Sequence, residues 1–453
     1  MPPTPRVPLS ARPALWLARW GGIAPLLLAE FIVWVGFGAL LPVLPLYFTE
    51  QGVDLGTLGI VIAAWPIARL IGEPIFGWLA DRTARVPLMV IGLVATGVFS
   101  MLPLVLTGPL AFVLLRAGAG LATSVYDPAA RGYLTDATES SRHGEAFGLY
   151  GAAQMGGLLL GPAIGAFGAG LFGGIAFVFV FGGLAAVLAA VAIALRVREN
   201  PAPIRLHPAP GHGSTEFPPE SPRTTARAAA DVDADRADAE AGGSVAAATG
   251  RLPSPTSLWN RGLIAAIVLN AGGFFAGGTY EVIWSLFLDG LGASLDLIGL
   301  TFAMFGLPIL LLSPYAGRLV DRGGVFLFIV AGSIAPALCG VAYTLIVDPL
   351  LAVPLILVEA TGFAFLNPAL YAVVAASSPR GRSSTAQGLF GAAGTVGFIV
   401  ASLSAGYLAE LDIRYPFYVF TVVLLATLVV SVVIAGPAYR RRGTVAATPA
   451  GAA

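Results

Sequence analysis

Residues 57–80 read TLGIVIAAWPIARLIGEPIFGWLA, and Asp81-Arg82 follow directly. Residues 297–320 read LIGLTFAMFGLPILLLSPYAGRLV, and a second Asp-Arg pair follows them at positions 321 and 322. An α-helix of that length rises about 36 Å, which is enough to cross the ~30 Å hydrocarbon core of a bilayer. The two stretches are therefore predicted to be membrane-spanning helices that end in matching charged loops.

Apolar runs of this kind occur twelve times in the 453 residues. Apolar residues make up 57% of the chain, charged residues only 11%, and the mean hydropathy is +0.84. A water-soluble fold cannot bury so much apolar surface, and continuous runs exclude an alternating β-barrel. The predicted fold class is an all-α membrane protein with twelve spans. The spans are predicted at 22–48, 57–80, 87–106, 109–130, 146–169, 172–195, 261–289, 297–320, 324–346, 349–375, 385–409 and 415–438.

A shift of 240 residues brings the chain into register with itself without a gap. The run GLYGAA at 148–153 then meets GLFGAA at 388–393, and Pro128 meets Pro368. Two related bundles can rock about a shared cavity, which is how alternating-access transport works. We therefore expect two pseudo-symmetric six-helix bundles, an N-terminal one at 22–199 and a C-terminal one at 259–438.

Three further segments complete the predicted organisation. Residues 1–21 form an N-terminal segment and residues 439–453 a C-terminal tail, both cytoplasmic. Residues 200–258 are rich in Pro, Ala, Ser and charge, so they cannot bury enough surface to fold. They are predicted to be a flexible cytoplasmic linker, with a regulatory docking role as the alternative.

The distribution of arginine predicts the orientation. The loops on one side of a twelve-span arrangement hold acidic residues, with Arg414 as the only base. Because cytoplasmic loops are enriched in basic residues, both termini are expected in the cytoplasm, at what we call the Arg-rich end. The arginines at that end are Arg6, Arg12, Arg19, Arg82, Arg85, Arg142, Arg196, Arg198, Arg318, Arg322, Arg380, Arg382 and Arg440 to Arg442.

Several function classes lack their sequence signals. Net charge is zero, so no overall field attracts nucleic acid. The single cysteine, Cys339, excludes an intramolecular disulfide and makes a metal cluster improbable. No HExxH sequence, Walker loop or nucleophile elbow is found in a suitable context. We therefore expect neither an enzyme nor a protein with a metal or cofactor.

Motifs after span 2, after span 8 and in span 5 resemble those of the major facilitator superfamily. The stretch GWLADRTARVPLM, from Gly77 to Met89, is similar to the superfamily signature between spans 2 and 3, with Asp81, Arg82 and Arg85 in place. A weaker echo contains Asp321 and Arg322. The span 5 motif of the twelve-span drug:proton antiporter branch is reproduced by Gly148, Gly157, Gly161, Pro162 and Gly165.

This resemblance implies a monomeric bacterial transporter of the multidrug efflux type in the cytoplasmic membrane. It implies alternating access, a small-molecule substrate that is a hydrophobic or cationic organic compound, and export driven by the proton gradient. An exporter, importer or uniporter of a sugar or other metabolite is the alternative. By the same resemblance, Asp81 contacts the start of span 11 near Ser383 and Ser384, and Arg131 is a second candidate partner.

Six ionisable residues lie within the predicted spans: Glu30, Arg69, Glu73, Arg116, Glu281 and Glu359. Each costs about 2.5–3.5 kcal/mol at a helix centre on insertion scales, so each needs a reason. Spans 1, 4, 7 and 10 line the cavity in the superfamily, and Glu30, Arg116, Glu281 and Glu359 lie on them, one each. These four are the predicted cavity charges.

The same four residues are the candidates for proton coupling. The chain has no lysine and its histidines lie outside the spans, so a carboxylate must carry the proton. Glu30 is the first candidate, because Asn270 occupies its repeat-related position, and Glu281 and Glu359 follow. Arg116 is expected to bias a nearby carboxylate or to hold the substrate. A static ion pair between Arg116 and Glu359 is the alternative.

Other polar and aromatic residues complete the predicted site. Trp34, Tyr126 and Tyr280 are candidate aromatic walls for an organic substrate. Arg69 and Glu73 are four residues apart on one helix, so they are predicted to pair with each other. Asp127-Pro128 and Asn367-Pro368 are predicted to be helix-end signals with structural roles.

Overall fold

The computed structural model describes residues 19–139, 142–172, 174–199, 257–379, 382–435 and 439. Within them, eleven helices are long and apolar enough to cross a membrane, and a bent pair forms a twelfth span. The bent pair, α1, comprises Ala24–Leu40 and Leu44–Glu50. The others are α2 Leu55–Ala80, α3 Arg85–Met101, α4 Pro109–Asp136, α5 His143–Leu171, α6 Ile175–Arg196, α7 Arg261–Gly290, α8 Leu295–Gly323, α9 Val325–Tyr343, α10 Ala352–Ser377, α11 Ser383–Leu411 and α12 Tyr415–Ala435.

The predicted all-α membrane fold is confirmed, with one difference in the first span. The two pieces of α1 meet at an angle of 43°. Pro42 lies in the break, and a second proline, Pro45, stands in the first turn of the second piece. Proline lacks the backbone N–H that would continue the hydrogen-bond ladder, so the helix bends there.

Helix packing repeats between the two bundles. Helix α1 packs on α5 and α6, as α7 packs on α11 and α12, and α4 packs on α2 and α3, as α10 packs on α8 and α9. Two further pairs, α2 with α11 and α5 with α8, join the bundles to each other. The architecture is thus two pseudo-symmetric six-helix bundles. The segments 1–21, 200–258 and 439–453 lie almost wholly outside the described residues, so their predicted boundaries remain predictions.

Two glycines close the seams between the bundles near the end opposite the Arg-rich one. A Cβ atom added to Gly59 on α2 would lie 2.4 Å from the carbonyl oxygen of Ser402 on α11. A Cβ atom on Gly299 of α8 would lie 2.7 Å from the carbonyl oxygen of Pro162 on α5. Gly299 is 240 residues after Gly59, and Ser402 is 240 residues after Pro162, so the two contacts are related by the sequence repeat. The seams are therefore symmetric and leave no room for a side chain.

A carboxylate adds to the closure at one seam only. The backbone N–H of Gly56, at the start of α2, donates to Oε1 of Glu410 on α11 at 2.9 Å. A carboxylate at a helix N-terminus is stabilised by the helix dipole. The repeat-related positions are Gly170 and Asp296, so the other seam lacks this bond.

The bundles part towards the Arg-rich end. Around Gly148 and Gly151 on α5, Gly317 on α8 and Gly388 on α11, no described atom lies within 4 Å of an added Cβ. One buried apolar cluster joins both bundles at the opposite end, whereas the two clusters nearer the Arg-rich end each lie within one bundle. The space between the bundles therefore opens towards the Arg-rich end.

The span 5 glycines pack against α1 within the same bundle. Added Cβ atoms on Gly157, Gly161 and Gly165 would lie 2.5–2.6 Å from backbone oxygens of α1. Small residues let two membrane helices approach this closely. The motif thus fixes α5 to α1, while Pro162, between two of these glycines, contributes its carbonyl to the seam with α8.

Gly161→Ala is expected to lower the thermal stability of the protein, because the new methyl group overlaps the Val35 carbonyl oxygen at 2.5 Å. Overpacking of this kind costs about 1–3 kcal/mol. Unfolding can be followed with a maleimide dye that reports exposure of Cys339, the single and buried cysteine. Gly170→Ala on the same helix is the matched control, because open space surrounds Gly170. Equal stability of the two variants would contradict the packing assignment.

The loop after α2 does not show the predicted pairing of Asp81 with Arg131 among the described residues. Asp81 is exposed and pairs with none of the described side chains. Arg85 pairs with Asp136 at 2.5 Å, and Arg131, the alternative partner for Asp81, lies 3.6 Å from Asp127 instead. The side chains of Ser383, Ser384, Asp321 and Arg322 lie outside the described part of the structure. The contact between Asp81 and the start of α11 therefore remains a prediction.

Candidate functional site

A cavity of about 350 Å³ lies between the bundles, and its largely apolar wall includes nine aromatic residues. Five polar side chains, Asn270, Glu281, Thr301, Glu359 and Asn367, interrupt an otherwise apolar wall. Concave, mostly apolar cavities with a few placed polar groups are typical of small-molecule sites. The aromatic residues are Trp34, Phe37, Phe274, Tyr280, Trp284, Phe302, Phe305, Phe363 and Phe398.

Glu359 on α10 lines this cavity and has no counter-cation among the described residues. Its Oε1 accepts from the Tyr280 hydroxyl at 2.6 Å, and its Oε2 accepts from the Tyr343 hydroxyl at 2.7 Å. The residue is almost fully buried. Two neutral donors satisfy the oxygens without neutralising a charge, so this carboxylate is free to take up a proton or to face a cation.

Arg116 on α4 and Glu281 on α7 form an ion pair between the two bundles. Nη2 of Arg116 donates to Oε1 of Glu281 at 2.8 Å, and both side chains are about nine-tenths buried. The alternative of a static pair between Arg116 and Glu359 is thus wrong. Because the pair joins α4 to α7, it stabilises the arrangement in which the bundles touch at the closed end.

Glu30 on α1 lies inside the N-terminal bundle, behind the cavity wall. Its Oε1 accepts from Trp34 Nε1 at 2.9 Å and from Gln154 Nε2 at 2.6 Å, and the Tyr126 hydroxyl donates to Oε2. The predicted cavity residues Glu30, Tyr126 and Arg116 do not line the cavity, whereas Trp34, Asn270, Tyr280, Glu281 and Glu359 do. The donors from α4 and α5 hold the Glu30 carboxylate inward, and the indole of Trp34 covers it.

An ion-pair network joins α2 and α4 within the same N-terminal bundle. Arg69 pairs with Glu73 at 2.5 Å, as predicted, and its guanidinium also pairs with Asp127. Arg131 lies 3.6 Å from the same Asp127 carboxylate.

Asp127-Pro128 and Asn367-Pro368 both lie inside their helices, so the prediction that they mark helix ends is wrong. The role of Asp127 was missed because only the folded arrangement brings α2 and α4 together. Gln154 was also missed, although a lone polar residue in the apolar run of span 5 was an available signal.

Comparison with known proteins decides the family. The family model of the Major Facilitator Superfamily matches residues 26–287 and 274–452. The chain belongs to the Major Facilitator Superfamily. It is therefore a multi-pass membrane transporter and not an enzyme.

Curated relatives are similar over part of the chain. The quinolone resistance protein NorA of Staphylococcus aureus (strain MRSA252) is 30% identical over 137 residues, which are 30% of this chain and 35% of that protein. Multidrug resistance protein 2 of Bacillus subtilis (strain 168) is 30% identical over 173 residues, 38% of this chain and 42% of that protein. The matched regions thus span less than half the length of these relatives.

Solved transporter structures share the fold along most of the chain. A peptide transporter POT in complex with sulfate has a TM-score of 0.66 at 16% identity, with 92% of this chain and 94% of that one covered. A bacterial homolog of the human lysosomal transporter Spinster, in an inward-facing and unoccupied conformation, has a TM-score of 0.62 at 18% identity, with 93% and 95% covered. At these identities the likeness establishes the fold alone.

Charge counting gives two sets of ionisable residues, in which Glu73 and Arg131 are partly exposed and the others are largely buried. The set at the cavity holds Glu281 and Glu359 against one arginine, Arg116. The N-terminal set holds three carboxylates against two arginines: Glu30, Glu73, Asp127, Arg69 and Arg131. Each set carries one negative charge when every group is ionised and becomes neutral when one carboxylate takes up a proton. Burial away from water favours the neutral condition unless a cation is present.

Proposed function

We propose that this transporter exports hydrophobic or cationic organic compounds in exchange for protons. The observation that carries the proposal is the cavity wall, in which aromatic rings surround a carboxylate, Glu359, that lacks a counter-cation. Aromatic faces attract organic cations, by about 2 kcal/mol or more once water is excluded. A flat or bulky cation with apolar substituents therefore suits both the shape and the charge of the cavity.

Proton and substrate compete at Glu359. When Glu359 is ionised, the cavity set holds one excess negative charge and favours a cation. When Glu359 binds a proton, the set is neutral and the cation loses its electrostatic partner. Arg116 cannot release its proton, so its part is to hold Glu281 while the closed end is shut. Glu30 is the proton carrier in the N-terminal bundle.

The orientation allows the cavity to load from the cytoplasm, and the relatives support export as the direction of transport. The Arg-rich end faces the cytoplasm of a bacterial cell, by the rule that cytoplasmic loops are basic, so the open cavity loads from inside. The resistance proteins among the relatives support export of drug-like compounds. Exchange of one proton for one monovalent cation moves no net charge, so the pH gradient drives it, and each pH unit, worth about 1.4 kcal/mol, supports a roughly tenfold cation gradient.

Everted membrane vesicles that contain the protein provide the test, with ethidium as the probe cation. An acid interior is expected to drive at least tenfold accumulation of ethidium, because each proton that leaves drives a cation inward. Nigericin, which collapses the pH gradient, should abolish it, and vesicles without the protein are the control. Ethidium movement that is equal with and without the gradient would refute proton coupling and favour a uniporter.

A further inference from the structure

Resting on the proposed proton coupling, we infer that the proton bound at Glu30 leaves through Asp127 towards Glu73, by a route inside the N-terminal bundle that is separate from the substrate cavity. The route assigns transport roles to Tyr150, Asp127 and Glu73, none of which lines that cavity.

Exposure rises steadily along the route. The Glu30 residue is 0% exposed, the Asp127 side chain is 3% exposed and the Glu73 side chain is 35% exposed. Arg69 connects Asp127 to Glu73, and the side chain of Arg131, beside Asp127, is 46% exposed. The series therefore leads from a sealed carboxylate to side chains that are partly exposed on the Arg-rich side of Glu30.

The hydroxyl of Tyr150 on α5 lies in the region of the first two carboxylates. It is buried and has no hydrogen-bond partner among the described residues. Tyr150 lies within electrostatic range of both Glu30 and Asp127. A buried hydroxyl without a partner is unfavourable unless it has a use, and a hydroxyl between two acids can accept from one and donate to the other.

A small second cavity lies within the N-terminal bundle, beside Asp127. It has a volume of about 50 Å³ and is lined by Tyr126, Asp127 and Arg69, with the hydroxyls of Thr96, Ser100 and Thr123 nearby. This is room for water beside polar groups. Trp34 and Phe37 line both this cavity and the substrate cavity, so their rings form the partition between the two.

The proton balance closes without a co-reactant. Glu30 in its acid form gives its proton to the Tyr150 oxygen while the Tyr150 O–H passes its own proton to Asp127. Glu30 is left as a carboxylate, Tyr150 is unchanged, and Asp127 is the acid until Glu73 and water accept the proton. The three donors on Glu30, from Trp34, Tyr126 and Gln154, then stabilise the carboxylate that remains.

Asp127→Asn and Tyr150→Phe test the route in proteoliposomes, with two readouts of ethidium transport. Counterflow at equal pH needs the cavity and the movement of the bundles but no net proton release. Accumulation driven by a pH gradient needs the cavity and the movement of the bundles, and it also needs net proton release. Both variants are expected to keep counterflow within twofold of wild type and to lose at least tenfold in gradient-driven accumulation. Glu139→Gln, which removes an exposed charge from the same bundle, should alter neither readout.

Tyr150→Phe is the sharper variant, because it removes a hydroxyl without a partner and should leave thermal stability unchanged or higher. Equal loss of both readouts in both variants would mean that the residues only hold the fold, and unchanged accumulation would mean that the proton leaves by another way. Either result overturns the route. Absence of gradient-driven accumulation in the wild-type protein would instead refute the proposed function itself.

Discussion

Glu359→Gln is expected to abolish gradient-driven accumulation of ethidium, with a loss of at least tenfold, while the protein still folds. Glutamine keeps the size of the side chain; its Oε1 can accept from one of the two hydroxyls that lie 2.6 and 2.7 Å from Glu359, and its Nε2 can donate to the oxygen of the other. It cannot bind or release a proton, and it carries no charge to attract a cation. Ethidium binding to the purified variant should be weaker than to wild type at neutral pH and independent of pH.

Asp296→Asn is the matched control, because Asp296 is an exposed carboxylate of the same bundle in the first turn of α8. It should transport like wild type. Full gradient-driven accumulation by Glu359→Gln would remove Glu359 from the coupling mechanism. It would leave Glu281 and Glu30 as the remaining carriers.

Gly59→Ala and Gly299→Ala are expected to shift the transporter towards the arrangement in which the seams are open. Each new Cβ overlaps a backbone oxygen of the other bundle, at 2.4 Å for Gly59 and 2.7 Å for Gly299. Overpacking costs about 1–3 kcal/mol, which changes the ratio of the two states roughly 5- to 150-fold. The double variant should combine the two effects because the seams are separate. Counterflow rates should fall accordingly.

Gly290→Ala provides the control for this experiment. Alanine favours a helix over glycine by about 1 kcal/mol at any of the three positions, but open space surrounds Gly290. Only the seam variants should therefore lose transport. Seam variants that keep the wild-type rate would show that the glycine contacts do not close the transporter.

Much of the fold was predictable from the sequence because the bilayer requires long apolar helices. The spans, the repeat and the Arg69–Glu73 pair follow from length, register and spacing along a single helix. Repeat-related glycines at 59 and 299 likewise occupy equivalent seams. The bend in α1 was not predicted as a break, although Pro42 stands in it.

Contacts between helices were the part that the sequence could not predict. A helix that is apolar all round has no face that indicates which way it is turned. Depth in the membrane therefore identified Arg116, Glu281 and Glu359 as a group but could not decide that Arg116 pairs with Glu281. For the same reason Glu30 was expected on the cavity wall, whereas Trp34 covers it from the cavity side.

Distances between spin labels at the two ends of the bundles test the central claim that the cavity opens to alternate sides. Gln51→Cys with Leu411→Cys reports the end closed in this structure, and Ala137→Cys with Ala376→Cys reports the Arg-rich end, in a Cys339→Ala background. All four labelled positions are exposed. Upon a change in pH or addition of ethidium, one distance should lengthen as the other shortens. Two distances that stay fixed, or that change in the same direction, would contradict alternating access.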